Sequence, residues 1–272
     1  MIPQAFEYEQ PESVADAIAM LGKHGGEARI LAGGHSLVPL MKLRLAAPDA
    51  LIDIGGIASL RGITDTPDAI TIGALTTHAQ VASSEVIAGG CPILAETAAG
   101  IGDIQVRNRG TIGGSIANAD PHGDLPAVFL ALEGEATAEG PNGERTIAAT
   151  DLFVDYLQTS LSQDEIVTSV RVPKAGRSAY VKFNRRAQDW AIVGAAAVVD
   201  GSSARIALTG VASRPVRATA AEAAFTGSNA AEAAGHAADG LDPPSDTAAS
   251  GEYRAHLARV LVRRALEAAM AR

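Results

Sequence analysis

Two glycine pairs carry the most legible chemistry of this chain: Ala32-Gly33-Gly34-His35-Ser36 and Thr111-Ile112-Gly113-Gly114-Ser115. Each follows a short apolar run and leads into Leu- or Ile-containing sequence able to open a helix. Paired glycines at such a step let backbone N–H groups press against a diphosphate, because no Cβ holds the main chain away. Ser36 and the helix start behind it add a hydroxyl and free N–H donors, which favour an anion. A Gly-Gly pair is also compatible with nothing more than a tight turn. Neither GxGxxG nor a glycine loop ending in Lys-Ser/Thr is present, which disfavours a Rossmann or Walker site. Two such loops in one chain suggest a dinucleotide pyrophosphate gripped from two sides.

Other residues invite chemistry. Asp120-Pro121-His122-Gly123-Asp124 could be imagined as a ligand set, but nothing nearby in the sequence completes a metal shell. Asp124 is either a plain helix N-cap or an acceptor for a ligand hydroxyl. Lys182 sits in Tyr180-Val181-Lys182-Phe183, an alternation that also allows a lysine projecting into water. Trp190 is the single tryptophan, suited to stacking or to anchoring a core. Cys91, the single cysteine, cannot form an intrachain disulfide or an iron–sulfur ligand set, and reads as buried and structural.

These groups need elements to position them. The 272 residues suffice for one large domain or two ordinary ones, and 47% hydrophobic content supports a packed core. Only 4% are aromatic, so Ala, Val, Ile and Leu must fill that core. The 22 basic and 31 acidic residues leave a net charge of −9, which argues against nucleic acid as a partner. No apolar run approaches a membrane span and no leader pattern opens the chain, so a cytoplasmic protein is expected. Peripheral contact with the inner face of the cell membrane is left open.

Pro11–Gly26 reads as a first helix with Val14, Ile18 and Leu21 on one face, followed by a strand at 28–32. Helical turns at 37–45, strands at 50–54 and 69–72, and short helices at 77–88 and 93–99 lead to the second glycine loop. Asp124 opens a helix to Leu132, and a hairpin turns at Pro141-Asn142-Gly143 before a strand at 165–172. Pro173-Lys174-Ala175-Gly176 marks a boundary, dividing the chain into domains 1–173 and 174–272. The second contains three strands (180–185, 192–199, 205–212), alanine-rich helices and a final amphipathic helix at 252–272. Leu257, Val260, Leu261, Leu266 and Met270 of that helix are expected to face inward.

Together, Ala-Gly-Gly-His-Ser-Leu-Val-Pro-Leu-Met-Lys at 32–42, Arg-Asn-Arg-Gly-Thr-Ile-Gly-Gly at 107–114, Asp-Pro-x-x-Asp at 120–124 and Glu-Tyr-Arg at 252–254 carry a family resemblance over essentially the whole chain. The sequence resembles the FAD-binding medium subunits of the molybdenum hydroxylases, the xanthine dehydrogenase family, and most of all those of the aerobic carbon monoxide dehydrogenases. The resemblance implies an α+β fold: a two-lobed FAD-binding domain of the vanillyl-alcohol-oxidase type, then a small α+β domain with a three-stranded antiparallel sheet and helices. It implies that Ala32, Gly33, Gly34, His35 and Ser36, with Thr111, Ile112, Gly113, Gly114 and Ser115, line the pyrophosphate. Ile101 would pack near the flavin or its ribityl chain, Asp124 would accept from a cofactor hydroxyl, and Leu161 and Lys182 would touch the flavin ring. Trp190 stands where the family usually has a tyrosine near the open ring face, and Ser115 where it often has asparagine. His35 and His78 invite thoughts of covalent attachment, but noncovalent FAD is the expectation.

The resemblance further implies a large subunit with a molybdenum cofactor and a small subunit with [2Fe–2S] clusters, in a dimer of heterotrimers. Substrate would be oxidised at molybdenum, and FAD here would collect electrons for an external acceptor such as a quinone. No catalytic acid–base pair is expected from this chain. Carbon monoxide is the first expectation for substrate, with N-heteroaromatics and aldehydes as alternatives. Two rival readings are a stand-alone FAD oxidoreductase and a non-catalytic nucleotide-binding or assembly module.

Overall fold

The computed structural model describes residues 2–272. The chain begins with β1 (Glu7–Glu9), α1 (Val14–His24), β2 (Ala28–Leu31), α2 (Leu37–Lys42) and β3 (Ala50–Asp53). The three strands form a small parallel sheet in the order β1-β3-β2. Ser13 caps α1 by accepting from the Asp16 N–H at 3.1 Å, so Pro11 lies ahead of the helix instead of opening it. Ala17 and Leu21 of α1 pack with Ala50 and Ile52 of β3 in the first core.

The chain continues through β4 (Ile63–Asp65), β5 (Ala69–Gly73) and four short helices: α3 (His78–Ser83), α4 (Glu85–Gly90), α5 (Pro92–Ala99) and α6 (Ile104–Arg109). The segment expected as one helix at 77–88 breaks at Ser84, whose hydroxyl accepts from the Ile87 N–H and starts α4. Next come α7 (Ile112–Asn118), α8 (Asp124–Ala131), β6 (Glu135–Gly140), β7 (Gly143–Ala148), α9 (Ala149–Leu152), β8 (Phe153–Asp155), β9 (Gln158–Thr159) and β10 (Ile166–Pro173). An antiparallel sheet of order β4-β5-β10-β6-β7 backs these helices. Apart from Asp124 at its start, α8 is apolar all round, and it is wholly buried, the pattern of a helix enclosed on every side.

The last part holds β11 (Ser178–Phe183), β12 (Val193–Asp200), β13 (Ser203–Thr209), β14 (Val216–Arg217), α10 (Thr219–Ala224), α11 (Ala230–Gly235) and α12 (Gly251–Met270). Its antiparallel sheet has four strands, one more than the sequence suggests, because the two-residue β14 is too short to show periodicity. β12 is buried on both faces. Ala195, Ala197 and Val199 join the core under α12, while Ala196 and Val198 join the core around α8. Alanine on both faces lets a helix approach closely from each side. In α12, Leu257, Leu261 and Leu266 are buried as expected, whereas Val260 and Met270 are half-buried, Met270 packed against that core.

Candidate functional site

A cavity of about 540 Å³ runs between the two glycine loops toward β11, well within the roughly 300–1,000 Å³ typical of small-molecule sites. The first loop follows β2 and needs both its glycines. Gly34 has φ +76, and a Cβ on Gly33 would collide with the Arg109 carbonyl at the end of α6. That close approach sets the first loop directly beside the start of the second. Among the described residues, none of the backbone N–H groups from Gly33 to Leu37 donates to a protein acceptor. An anion in the cavity would meet a run of free donors there.

The second loop is anchored differently. Ile112 donates to the Thr76 carbonyl at 3.0 Å, Gly113 to Ala74 at 2.9 Å, and Gly114 to the Thr111 hydroxyl at 3.1 Å. Its glycines therefore serve close packing: a Cβ on Gly113 would overlap that of Ala74. Thr111, Gly114 and Ser115 line the cavity, whereas Ile112 and Gly113 lie behind it. The sequence pattern suggests two equivalent grips, but the structure offers one donor-rich loop and one wall.

Ala32, Gly33, Gly34, His35, Ser36, Ile101, Asp124, Lys182 and Trp190 all line the same cavity. Leu161 does not. It is half-buried against the core around α8 and stands outside the lining. Trp190 is 58% exposed and sits at the rim, not in a core.

Asp124 is the first residue of α8, not its cap, which is Gly123. Its carboxylate accepts from the Tyr180 hydroxyl at 2.6 Å and pairs with the Lys182 ammonium at 2.7 Å. Lys182 also donates to the Gly100 carbonyl at 3.1 Å. Lys182 is thus a largely buried cation held in place, not a lysine projecting into water. Burial pushes the Asp124 carboxyl above the usual carboxylate range, with Lys182 and the Tyr180 hydrogen bond pulling back. Burial and the adjacent carboxylate raise the Tyr180 phenol well above its ordinary value. A second cavity of about 170 Å³, lined by Glu96, Thr97, Gly100 and Tyr180, touches the same Asp124–Lys182 pair.

The loop 120–124 is tied to the last sheet. Thr209 donates its hydroxyl to the Pro121 carbonyl at 2.5 Å, and the Gly210 N–H donates to the same carbonyl at 2.7 Å. His122 meets the Ala191 carbonyl through Nδ1 at 2.9 Å, so its imidazole is a tether here. Among the described residues the one convergent set of metal-capable atoms is elsewhere, at Glu7, Glu9 and His24. Cys91 is buried and its thiol is pushed up to about 12 by that burial, consistent with an inert structural residue.

Sequence reasoning missed several lining residues, notably Arg29, Asn118, Asp120 and Gln188. It also left α6 unassigned, although Asp103 caps it by accepting from the Val106 N–H at 2.8 Å. His78, considered only for covalent attachment, lines the cavity from the start of α3.

The cradle fits a dinucleotide: free main-chain donors, two loops in close approach and a largely buried cation all line one cavity. Comparison with known proteins agrees. The family described as the FAD binding domain in molybdopterin dehydrogenase matches residues 4–175, and the CO dehydrogenase flavoprotein C-terminal domain matches residues 178–269. The carbon monoxide dehydrogenase medium chain of Hydrogenophaga pseudoflava is 42% identical, with 100% of this chain and 99% of that one covered. The alpha subunit of the 6-hydroxypseudooxynicotine dehydrogenase complex of Paenarthrobacter nicotinovorans is 40% identical, covering 100% and 97%. The solved carbon monoxide dehydrogenase from Hydrogenophaga pseudoflava that lacks the Mo-pyranopterin moiety superposes with a TM-score of 0.96 at 44% identity, covering 100% and 99%. The chain belongs to the family of FAD-binding medium subunits of the molybdenum hydroxylases, as a flavoprotein subunit of the carbon monoxide dehydrogenase-like kind.

Proposed function

We propose that this chain is the FAD-carrying electron-transfer subunit of an aerobic carbon monoxide dehydrogenase. A large molybdenum-cofactor subunit and a small [2Fe–2S] subunit complete the assembly, which is a dimer of heterotrimers. The flavin part of the proposal is carried by the cavity that joins the donor-rich first loop to the Asp124–Lys182 pair, and its carbon monoxide part is supported by the 42% identity to a carbon monoxide dehydrogenase medium chain. Bound there, FAD supplies the junction between the one-electron chemistry of iron–sulfur clusters and the two-electron chemistry of an acceptor such as a quinone.

In this reading residues 1–173 form the FAD domain and 174–272 the smaller domain that closes it. The loops at 32–36 and 111–115 hold the pyrophosphate, the first by its N–H groups and the second as a wall. Ile101 and Trp190 bracket the cavity, with Trp190 covering the open end. Lys182, held by Asp124 and the Gly100 carbonyl, presents positive charge that favours the reduced, more negative ligand. Similarity to a nicotine 6-hydroxylase medium subunit, 38% identical, supports the alternative of an N-heteroaromatic hydroxylase.

Affinity purification of the chain from its host, with metal analysis and a spectrum of the eluate, tests the proposal. Flavin, molybdenum and iron together, bleached by carbon monoxide, are expected. Bleaching by an N-heteroaromatic or an aldehyde but not by carbon monoxide would transfer the assignment to that hydroxylase. Flavin without partner or metal would point to a stand-alone oxidoreductase.

A further inference from the structure

Among the described residues lining the cavity, His78 is the buried one whose side chain the protein leaves without a hydrogen-bond partner. The residue follows the Thr77 cap at the start of α3, is only 5% exposed, and lines the cavity. Its main-chain N–H donates to the Gly110 carbonyl at 2.9 Å, which fixes it at the entrance to the second loop. Its Nδ1 is sealed from solvent without a partner, and Nε2 has no protein partner among the described residues either. Gly110 makes room for the ring, since a Cβ there would come within 2.8 Å of Cδ2 and 2.9 Å of Nε2. Nε2 thus faces the seam where the two loops meet, with His35 of the first loop nearby.

Burial and the neighbouring His35 push the His78 imidazole down to about 4, so it is neutral at ordinary pH. A neutral imidazole carries one N–H. The sealed Nδ1 stays unpaired in either tautomer, as a donor or as an acceptor, so a proton placed there can be used by nothing. On Nε2 it faces the cavity edge where a ligand passes between the loops.

We propose that His78, as the Nε2–H tautomer, donates a hydrogen bond to an anionic oxygen of the dinucleotide diphosphate at the seam between the loops. The proposal rests on the flavin reading of the cavity and adds a residue outside both glycine motifs. A donor without net charge holds the diphosphate in place while leaving the positive charge of the site to Arg29 and Lys182.

The test uses the full chain stripped of flavin and reloaded with FAD, comparing wild type, His78→Phe and His78→Gln. His78→Phe is expected to weaken FAD about 10- to 100-fold, the effect of losing one hydrogen bond to a charged group. His78→Gln, which keeps an N–H donor, is expected to stay within about threefold of wild type on the same reasoning. The ³¹P resonances of bound FAD are expected to shift in His78→Phe and to stay near wild type in His78→Gln. Gly110→Ala is the second variant should the Phe ring not be tolerated. Its φ of −59 accepts alanine, and the new Cβ displaces the retained imidazole, so the same loss is expected. Unchanged affinity in His78→Phe overturns the proposal, as does equal loss in the Phe and Gln variants with no ³¹P change. A wild-type chain that takes up no FAD overturns the flavin reading itself, which is a separate result.

Discussion

Replacing Lys182 by methionine tests the electrostatics of the site most sharply. The ammonium and the Asp124 carboxylate are 2.7 Å apart, with side chains only 16% and 8% exposed. At an effective dielectric of about 20, that separation corresponds to about 6 kcal/mol of attraction, opposed by the cost of taking both ions out of water. Removing one partner leaves the other charge buried, and the expected loss is about 3–5 kcal/mol. Protonation of Asp124 limits the damage. Each pH unit below its new pKa returns about 1.4 kcal/mol.

The sign follows from linkage. A carboxyl whose folded pKa lies above its unfolded value holds more proton when folded, so stability falls as pH rises from 3.8 to the folded pKa and is flat above it. Lys182 keeps that window narrow in wild type, and Lys182→Met stretches it toward neutrality. Urea unfolding of the full chain at pH 5, 6, 7 and 8 should therefore show a deficit that grows with pH. Adding Asp124→Asn should recover most of it, since the amide oxygen still accepts from Tyr180. A deficit below about 1 kcal/mol at pH 8, the range of an exposed pair, would refute the reasoning. So would a deficit that does not change with pH.

Arg254, fully buried, donates to the Ile192 carbonyl at 2.5 Å, to Gly210 at 2.9 Å and to Asp246 at 2.7 Å. Arg254→Met should cost about 3–5 kcal/mol in urea unfolding, and a loss under 1 would show that the two carbonyls need no donor. Burial alone would raise the Asp246 carboxyl, but the Ala249 and Ala248 N–H groups and Arg254 hold it at about 2. That contribution is fully present above 3.8 and is lost as pH falls toward 2, so an acid titration of wild type should show a stability loss there that Asp246→Asn lacks. Gly33→Ala drives a Cβ into the Arg109 carbonyl and should weaken FAD at least about tenfold, or 1.4 kcal/mol, as measured by equilibrium titration. Trp190, the single tryptophan, sits at the cavity rim, so its emission should be quenched in step with FAD uptake. Flavin binding that leaves Trp190 emission unchanged would remove it from the ring face.

The two loops were legible less from the glycine pairs alone, since Gly55-Gly56 and Gly89-Gly90 also follow apolar residues and stand outside the cavity, than from the motifs around them. The sequence could not show that they differ. Whether a loop's N–H groups are free depends on which carbonyls stand opposite, and Ala74 and Thr76 reach Gly113 and Ile112 only through long-range packing. Lys182 was equally ambiguous, since strand alternation places it on a face but not beside Asp124, 58 residues away. Asp124 itself reads as a cap from its position, yet Gly123 takes that place and frees the carboxylate for Tyr180 and Lys182. The long strands and α12 were legible from periodicity, whereas β14 and the β8–β9 ribbon are too short to carry a period. Ser84 split one expected helix into two because its hydroxyl competes for the helix start.

The central claim is that this cavity holds FAD without a covalent bond. Acid denaturation of the purified chain, followed by chromatography of the supernatant and a protein count, tests it directly. The account predicts about one free FAD per chain after loading, with no flavin left on the precipitated protein. A chain that cannot be loaded, or flavin that stays with the precipitate, would contradict it.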